Sequence, residues 1–179
     1  LQPGICLVID PIRSLMKDQV DGLNRNLIDS CVFINSTLRG EAKRKAMRQF
    51  AEGEVQFVFI SPERLQMEEF RLLLDDMYEN GHYFSYCVID EAHCVSEWGH
   101  DFRTAYLRLG ENAIYFCKTK NLDSLPLFGL TATASYDVLA DVQIELSGND
   151  ESKRLSEEEI VRSEYTKRNE IQYIVEEVT

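Results

Sequence analysis

The sequence predicts an α/β fold, a parallel sheet with helices on both faces. Three observations predict it. Five short, almost wholly apolar runs punctuate the chain at 5–9, 31–34, 55–60, 86–89 and 125–130. Runs of this length without polar alternation suit strands buried on both faces. Amphipathic stretches with helical spacing separate them, and strand and helix signals alternate, as in a parallel sheet whose crossovers are helices. Ligands of such sheets bind beyond the carboxyl ends of the strands. The residues just after each apolar run are therefore the first candidates for chemistry.

The elements follow in order. After the first run, Met16, Val20, Leu23 and Leu27 recur with helical spacing, and Ser14 is placed to cap the helix start. After the second, Arg39, Lys43, Arg44, Lys45 and Arg48 crowd a helix whose inner face is expected to hold Ala42, Ala46, Met47 and Phe50. That basic crowd reads as a solvated face, with nonspecific phosphate contact as the alternative. After the third, Phe70, Leu73, Leu74, Met77 and Tyr78 form an apolar stripe. After the fifth, Leu139, Val142 and Leu146 mark another helix, with Thr133 or Ser135 as its cap. Beyond residue 147 the apolar pattern weakens. Residues 148–152 read as a turn, Ser156 and the three following glutamates as a helix start, and 171–175 as a further strand. We accordingly divide the chain into a main unit, 1–149, and a linker with a first further strand, 150–179.

Composition narrows the class. The 179 residues are 44% hydrophobic and 28% charged, enough to bury a core and unlike disordered or collagen-like chains. No apolar run is long enough to suggest a membrane span. Nothing at the N-terminus resembles a signal peptide, and the missing initiator Met suggests that the sequence starts inside a larger protein. The five cysteines include no C-x-x-C pair, and the spacing of Cys87, His93, Cys94 and His100 matches no zinc pattern. Reduced, buried cysteines in a cytoplasmic protein are expected. The net charge of −12 is uneven: residues 1–50 are net +3, 51–149 net −11 and 150–179 net −4. An acidic chain can still present a local basic face to phosphates, because salt screens charge beyond ~10 Å.

The strongest chemical signal is the run Tyr86–Ile89 followed by Asp90-Glu91-Ala92-His93. A buried strand delivers two adjacent carboxylates to its own carboxyl end. Phosphoryl chemistry uses such a pair, one carboxylate holding Mg²⁺ through its water shell and the other orienting and deprotonating the attacking water. An acidic turn of no function is the competing reading, and D-E-A-H as a whole string argues against it. A second buried strand ends in Thr131-Ala132-Thr133-Ala134-Ser135, hydroxyls that can bond those carboxylates or cap a helix. Between them, Trp98, His100, Phe102 and Arg103 share one loop. Aromatic faces and Arg planes of this kind stack on nucleic-acid bases, although the same loop can serve as an apolar plug.

D-E-A-H followed by C-V-S-E-W-G-H-D-F-R resembles motif II and the aromatic-rich loop of RecQ-family DNA helicases. Residues 129–134 resemble their motif III, 11–20 their motif Ia and 60–65 their motif Ib, in family order over roughly residues 5–146. The resemblance implies a RecA-like (P-loop NTPase) helicase lobe, the first of two. It implies ATP and Mg²⁺ as cofactors, and as partners DNA, single-stranded or partly duplex, and the second lobe of the same protein. It implies Asp90 on Mg²⁺, Glu91 as the base, and His93 coupling nucleotide to the aromatic loop. Thr131 and Thr133 then serve the nucleotide and relay between lobes. Trp98, His100, Phe102 and Arg103 serve DNA, and Ser14, Lys17 and Arg64 lie near its backbone. Two departures stand out: Arg13 where the family usually has an aliphatic residue, and Glu97 where it usually has Gln.

A nucleotide-driven enzyme also needs a phosphate cradle, G-x-x-x-x-G-K-[ST]. None of the nine glycines is followed by Lys. The expectation is a lobe cut before motif Ia, lacking its Walker A strand and inactive alone, within an ATP-dependent DNA helicase that translocates on single strands and unwinds duplexes. In the family that strand lies beside the motif III strand, so 125–130 should have an open hydrogen-bonding side. A non-catalytic nucleic-acid-binding lobe and a superfamily 2 RNA helicase are the alternatives.

Overall fold

The computed structural model of the chain describes residues 3–96, 104–132, 135–148 and 150–162. Five parallel strands form one sheet in the order β2-β3-β1-β4-β5: β1 Ile5–Ile9, β2 Cys31–Ile34, β3 Phe57–Ile60, β4 Phe84–Ile89 and β5 Leu127–Gly129. The helices are α1 Arg13–Arg25, α2 Gly40–Ala51, α3 Glu68–Glu79, α4 Leu109–Phe116 and α5 Tyr136–Leu146. The expected α/β class holds, and each apolar run becomes a strand. The third and fifth strands are shorter than their apolar runs, while β4 starts earlier, at Phe84. The helix α4 has no counterpart in the periodicity reading, since its eight residues span barely two turns of pattern.

Strand alternation builds two unequal cores. Leu7, Ile9, Ile34, Val58, Ile60, Cys87 and Ile89 point to one face, where Phe50, Phe70, Leu74, Met77 and Val142 from the helices pack. Val8, Cys31 and Phe59 point to the other, under Met16 and Val20 of α1. Among the described residues α1 is the only helix on that face. Beyond it Tyr86 and Phe128 pair edge to face at 5.7 Å, and Phe128 remains 50% exposed. β5 is the sheet edge among the described residues, so its far side is open as expected.

Local details correct the sequence reading at Ser14, at Ala42 and after Ser156, and settle the α5 cap on one of its two candidates. Ser14 does not cap α1: the N-cap is Ile12, and its N–H donates to Asp10 Oδ1 at 2.7 Å, so the carboxylate two residues upstream closes the turn. Ser135 is the cap of α5, accepting from the Val138 N–H at 3.4 Å. Ala42 of α2 is exposed, while Ala46 and Phe50 are buried and all five basic residues of that segment face solvent. The glutamates after Ser156 make one short turn, 157–159, in which Ser156 N–H donates to Glu159 Oε2 at 2.8 Å. The strand expected at 171–175 lies outside the described residues.

Candidate active site at the strand ends

The parallel register brings unlike residues into one row. Ile34, Ile60, Ile9, Ile89 and Gly129 are neighbours across the sheet. The next residue of each strand is therefore Asn35, Ser61, Asp10, Asp90 and Leu130. Hydrogen bonds continue the ladder into this row: Asp10 N–H donates to Ile60 O at 3.0 Å and Asp90 N–H to Ile9 O at 2.8 Å. The carboxyl edge of the sheet thus ends in a row that is polar at four of its five positions, with two aspartates side by side.

Asp90 is held from several directions. Its Oδ1 accepts the Glu91 N–H at 2.9 Å, its Oδ2 accepts Gln19 Nε2 at 3.2 Å, and its carbonyl accepts the Tyr106 hydroxyl at 3.1 Å. Gln19 comes from α1 and the fully buried Tyr106 from the turn after the aromatic loop, so three distant segments converge on one residue. Glu91 sits at φ 49°, ψ 45°, a left-handed conformation uncommon for a non-glycine residue. That twist turns the chain off the strand into a short helical turn, Ala92–Val95. It leaves the Glu91 carboxylate 3.2 Å from His93 Nδ1, which also lies 3.0 Å from Thr131 Oγ1. The second carboxylate and the hydroxyl two residues past β5 therefore meet at one imidazole nitrogen.

Asp10 is the residue that sequence reasoning missed. It is fully buried, and its Oδ2 is the one buried side-chain oxygen or nitrogen without a partner among the described residues. Burial, above all, raises its carboxyl to about 6, the Ile12 N–H opposes that, and the charges of Asp90 and Glu91 add to it. A signal was present: Asp10 ends β1 just as Asp90 ends β4. Gln19 and Tyr106 carried no such signal, because their roles depend on contacts 71 and 16 residues away.

The other candidates divide. Ser14 and Lys17 are exposed on α1, and Lys17 pairs loosely with Asp21 at 3.5 Å. Arg64 is half-buried, its guanidinium 5.9 Å above the Phe70 ring, so part of its work is packing. Trp98, His100, Phe102, Arg103 and Thr133 lie outside the described residues. The two flanks of the aromatic loop are anchored, Ser96 Oγ donating to Asp141 Oδ2 at 2.5 Å and Tyr106 bonding Asp90. None of the five cysteines is in a disulfide, and among the described residues no cluster of His, Cys, Asp or Glu could hold a metal through three ligands.

The model of the DEAD/DEAH box helicase family matches residues 1–142. The chain belongs to that family. Its similarity runs to helicases of the RecQ group, as the motifs imply. It is 38% identical over 141 residues to the ATP-dependent DNA helicase RecQ of Haemophilus influenzae, covering 78% of this chain and 20% of that protein. It is 39% identical over 140 residues to RecQ of Bacillus subtilis, covering 78% and 22%. It is also 39% identical over 140 residues to the ATP-dependent helicase SGS1 of Saccharomyces cerevisiae, covering 78% and 9%. The chain thus spans about a fifth of the bacterial relatives and less of the yeast one. The Pyrococcus furiosus Hef helicase domain aligns at TM-score 0.48 and 19% identity, over 81% of this chain and 28% of that one.

Helicases of this kind imply Mg²⁺, and the donor set can be tested against it. Carboxylate oxygens are the hard ligands Mg²⁺ takes, and it usually keeps several waters and one or two protein carboxylates. Asp90 and Glu91, with an unpartnered Asp10 oxygen close by, fit a cation held through its water shell. Among the described residues no three side chains form a cage of direct ligands.

Proposed function

We propose that this chain is part of the ATP-hydrolysing lobe of an intracellular DNA helicase. In this reading 1–149 is the helicase lobe and 150–179 leads toward the second lobe of the same protein. The observation that carries the reading is the His93 bridge. The Glu91 carboxylate, just past β4, and the Thr131 hydroxyl, just past β5, meet at a single nitrogen of His93, Nδ1. A mere acidic turn has no reason to be wired to a second strand end, whereas a hydrolytic site that must report its state does.

The roles follow from the geometry. Asp90, fixed by its hydrogen bonds, presents its remaining lone pairs to hydrated Mg²⁺. The cation, when bound, neutralises charge on the phosphates of ATP. Glu91, turned off the strand by its left-handed backbone, takes the proton of the attacking water. His93 orients the Glu91 carboxylate and links it to Thr131, whose state can then follow the nucleotide. Trp98, His100, Phe102 and Arg103 make the DNA contact. Their loop leaves from Ser96 and returns at Tyr106, so base stacking pulls on the Asp90 carbonyl and on α5. Ser14 and Lys17, on the exposed side of α1, extend that contact to the DNA backbone, with Arg64.

The phosphate cradle and the second lobe come from the rest of the protein. The experiment is nucleotide binding and turnover by the full-length protein and by the 179-residue chain. Glu91→Gln in the full-length protein should bind ATP normally and lose hydrolysis by ~10²–10⁴-fold, the worth of a positioned general base. The isolated chain should show no DNA-stimulated turnover. Near-normal hydrolysis by Glu91→Gln would remove Glu91 from the base role, and turnover by the isolated chain would overturn the need for an external phosphate cradle.

A further inference from the structure

The contact between Gln19 and Asp90 joins two parts of the molecule that the proposed mechanism treats separately. α1 is amphipathic in three sectors. Met16 and Val20 are buried against β1, β2 and β3, Ser14, Lys17 and Asp18 face solvent, and Gln19 lies between, half-buried, beside the strand ends. Its Nε2 donates to Asp90 Oδ2 at 3.2 Å. The opposite oxygen, Oδ1, is already engaged by the Glu91 N–H. With one donor on each oxygen, the carboxylate plane is set. Without Gln19 the group keeps a single tether and can rotate about it.

The register of α1 supplies the reason Gln19 can reach. The Asp10 carboxylate holds the Ile12 N–H, which starts the helix one residue later and fixes its rotation over the sheet edge. Asp10 and Asp90 are lateral neighbours in the strand-end row, so the helix that Asp10 starts leaves the sheet directly beside Asp90.

We infer that Gln19 is a positioning residue for Mg²⁺: its amide fixes the orientation of the Asp90 carboxylate and ties it to the helix whose exposed face carries Ser14 and Lys17. Resting on the helicase reading above, this inference gives α1 a second duty besides nucleic-acid contact. Outer-shell partners of metal-holding groups act by orienting them, and their loss typically weakens metal binding 10–100-fold.

The test uses the full-length protein with a non-hydrolysable ATP analogue and Mn²⁺, read by electron paramagnetic resonance. Gln19→Met keeps the side-chain volume and removes the donor. We expect Mn²⁺ affinity in the nucleotide complex to fall about tenfold. Affinity for single-stranded DNA without nucleotide, read by fluorescence anisotropy, should stay unchanged, as should the melting temperature. Unchanged Mn²⁺ affinity would overturn the inference while leaving the helicase reading intact. Equal losses of Mn²⁺ and DNA binding with a lowered melting temperature would also overturn it, because they mark a packing role. Should Gln19→Met fail to fold, Gln19→Ala is read by the same criteria. If the unsubstituted protein binds no Mn²⁺–nucleotide, the helicase reading falls, and this inference with it.

Discussion

At the residue scale, the most consequential side chain is one whose chemistry is at odds with its place. Asp10 is fully buried, keeps one oxygen without a partner among the described residues, and lies beside two more carboxylates. Its carboxyl is raised to about 6 in the fold, against an ordinary value of 3.8. The folded state therefore holds a proton that the unfolded state has released between those two values. The penalty is absent below about pH 4, grows as pH rises and is complete above about pH 6. Asp10→Asn keeps an oxygen for the Ile12 N–H and removes the charge. We expect this variant to melt higher than the parent at pH 7 and to lose the advantage as pH falls to 4, read by thermal melts across that range. A constant difference at all pH values would show that Asp10 is paired in solution. Glu91 illustrates the complementary point: its left-handed backbone is tolerated because a strand, a helical turn and His93 all constrain it.

At the scale of elements, α4 shows how a short helix is made by its neighbour. Its sequence offers no capping side chain, and its N-cap, Arg108, is itself left-handed at φ 59°. The cap arrives from α5: Glu145 Oε1 accepts the Gly110 N–H at 2.6 Å, and its carboxylate also bonds the N–H groups of Leu109 and Arg108. Burial raises the Glu145 carboxyl, and these three donors oppose the shift. Removing the cap in Glu145→Ala leaves those donors unpaired and should cost ~1–3 kcal/mol. Gly110→Ala should cost ~1–3 kcal/mol by overpacking, because a Cβ there runs into the Glu145 carbonyl oxygen. Denaturant unfolding checks both. A neutral Gly110→Ala would mean that α4 and α5 separate more easily than their packing suggests. α4 follows the aromatic loop directly, so loosening it should also loosen the return of that loop to Asp90.

At the scale of the whole molecule, the asymmetry of the sheet dominates. Among the described residues β5 pairs on one side only, and the same end of the sheet leaves Tyr86, Phe128 and Leu130 exposed on an otherwise acidic protein. Open apolar edges recruit other strands. The isolated chain should therefore self-associate with rising concentration despite its charge of −12, as sedimentation velocity would show. Phe128→Lys places a charge on that edge and should shift the population toward monomer. A monomeric parent chain at high concentration would mean that the edge is covered by residues of the chain itself.

How much was legible depends on whether an interaction is local in sequence. Apolar runs and helical stripes are local, so among the described residues all five strands and four of the five α-helices could be read, along with Asp90, Glu91 and a cap for α5 at Thr133 or Ser135. The D-E-A-H string needed no tertiary contact to be recognised, because strand geometry alone puts both carboxylates at one end. α4 was missed because eight residues carry too little periodicity, and Ser14 was misplaced because an upstream carboxylate outcompeted it for the helix start. The row Asn35, Ser61, Asp10, Asp90, Leu130 exists only once the strands are in register, and strand order is set by packing between residues far apart. The same holds for Gln19 on Asp90, His93 between Glu91 and Thr131, and Glu145 at the start of α4. Residue types and periodicity determined which groups end each strand. Only the tertiary structure decided which of them face one another, because hydrogen bonds of a few ångströms select among pairings that linear spacing leaves equivalent.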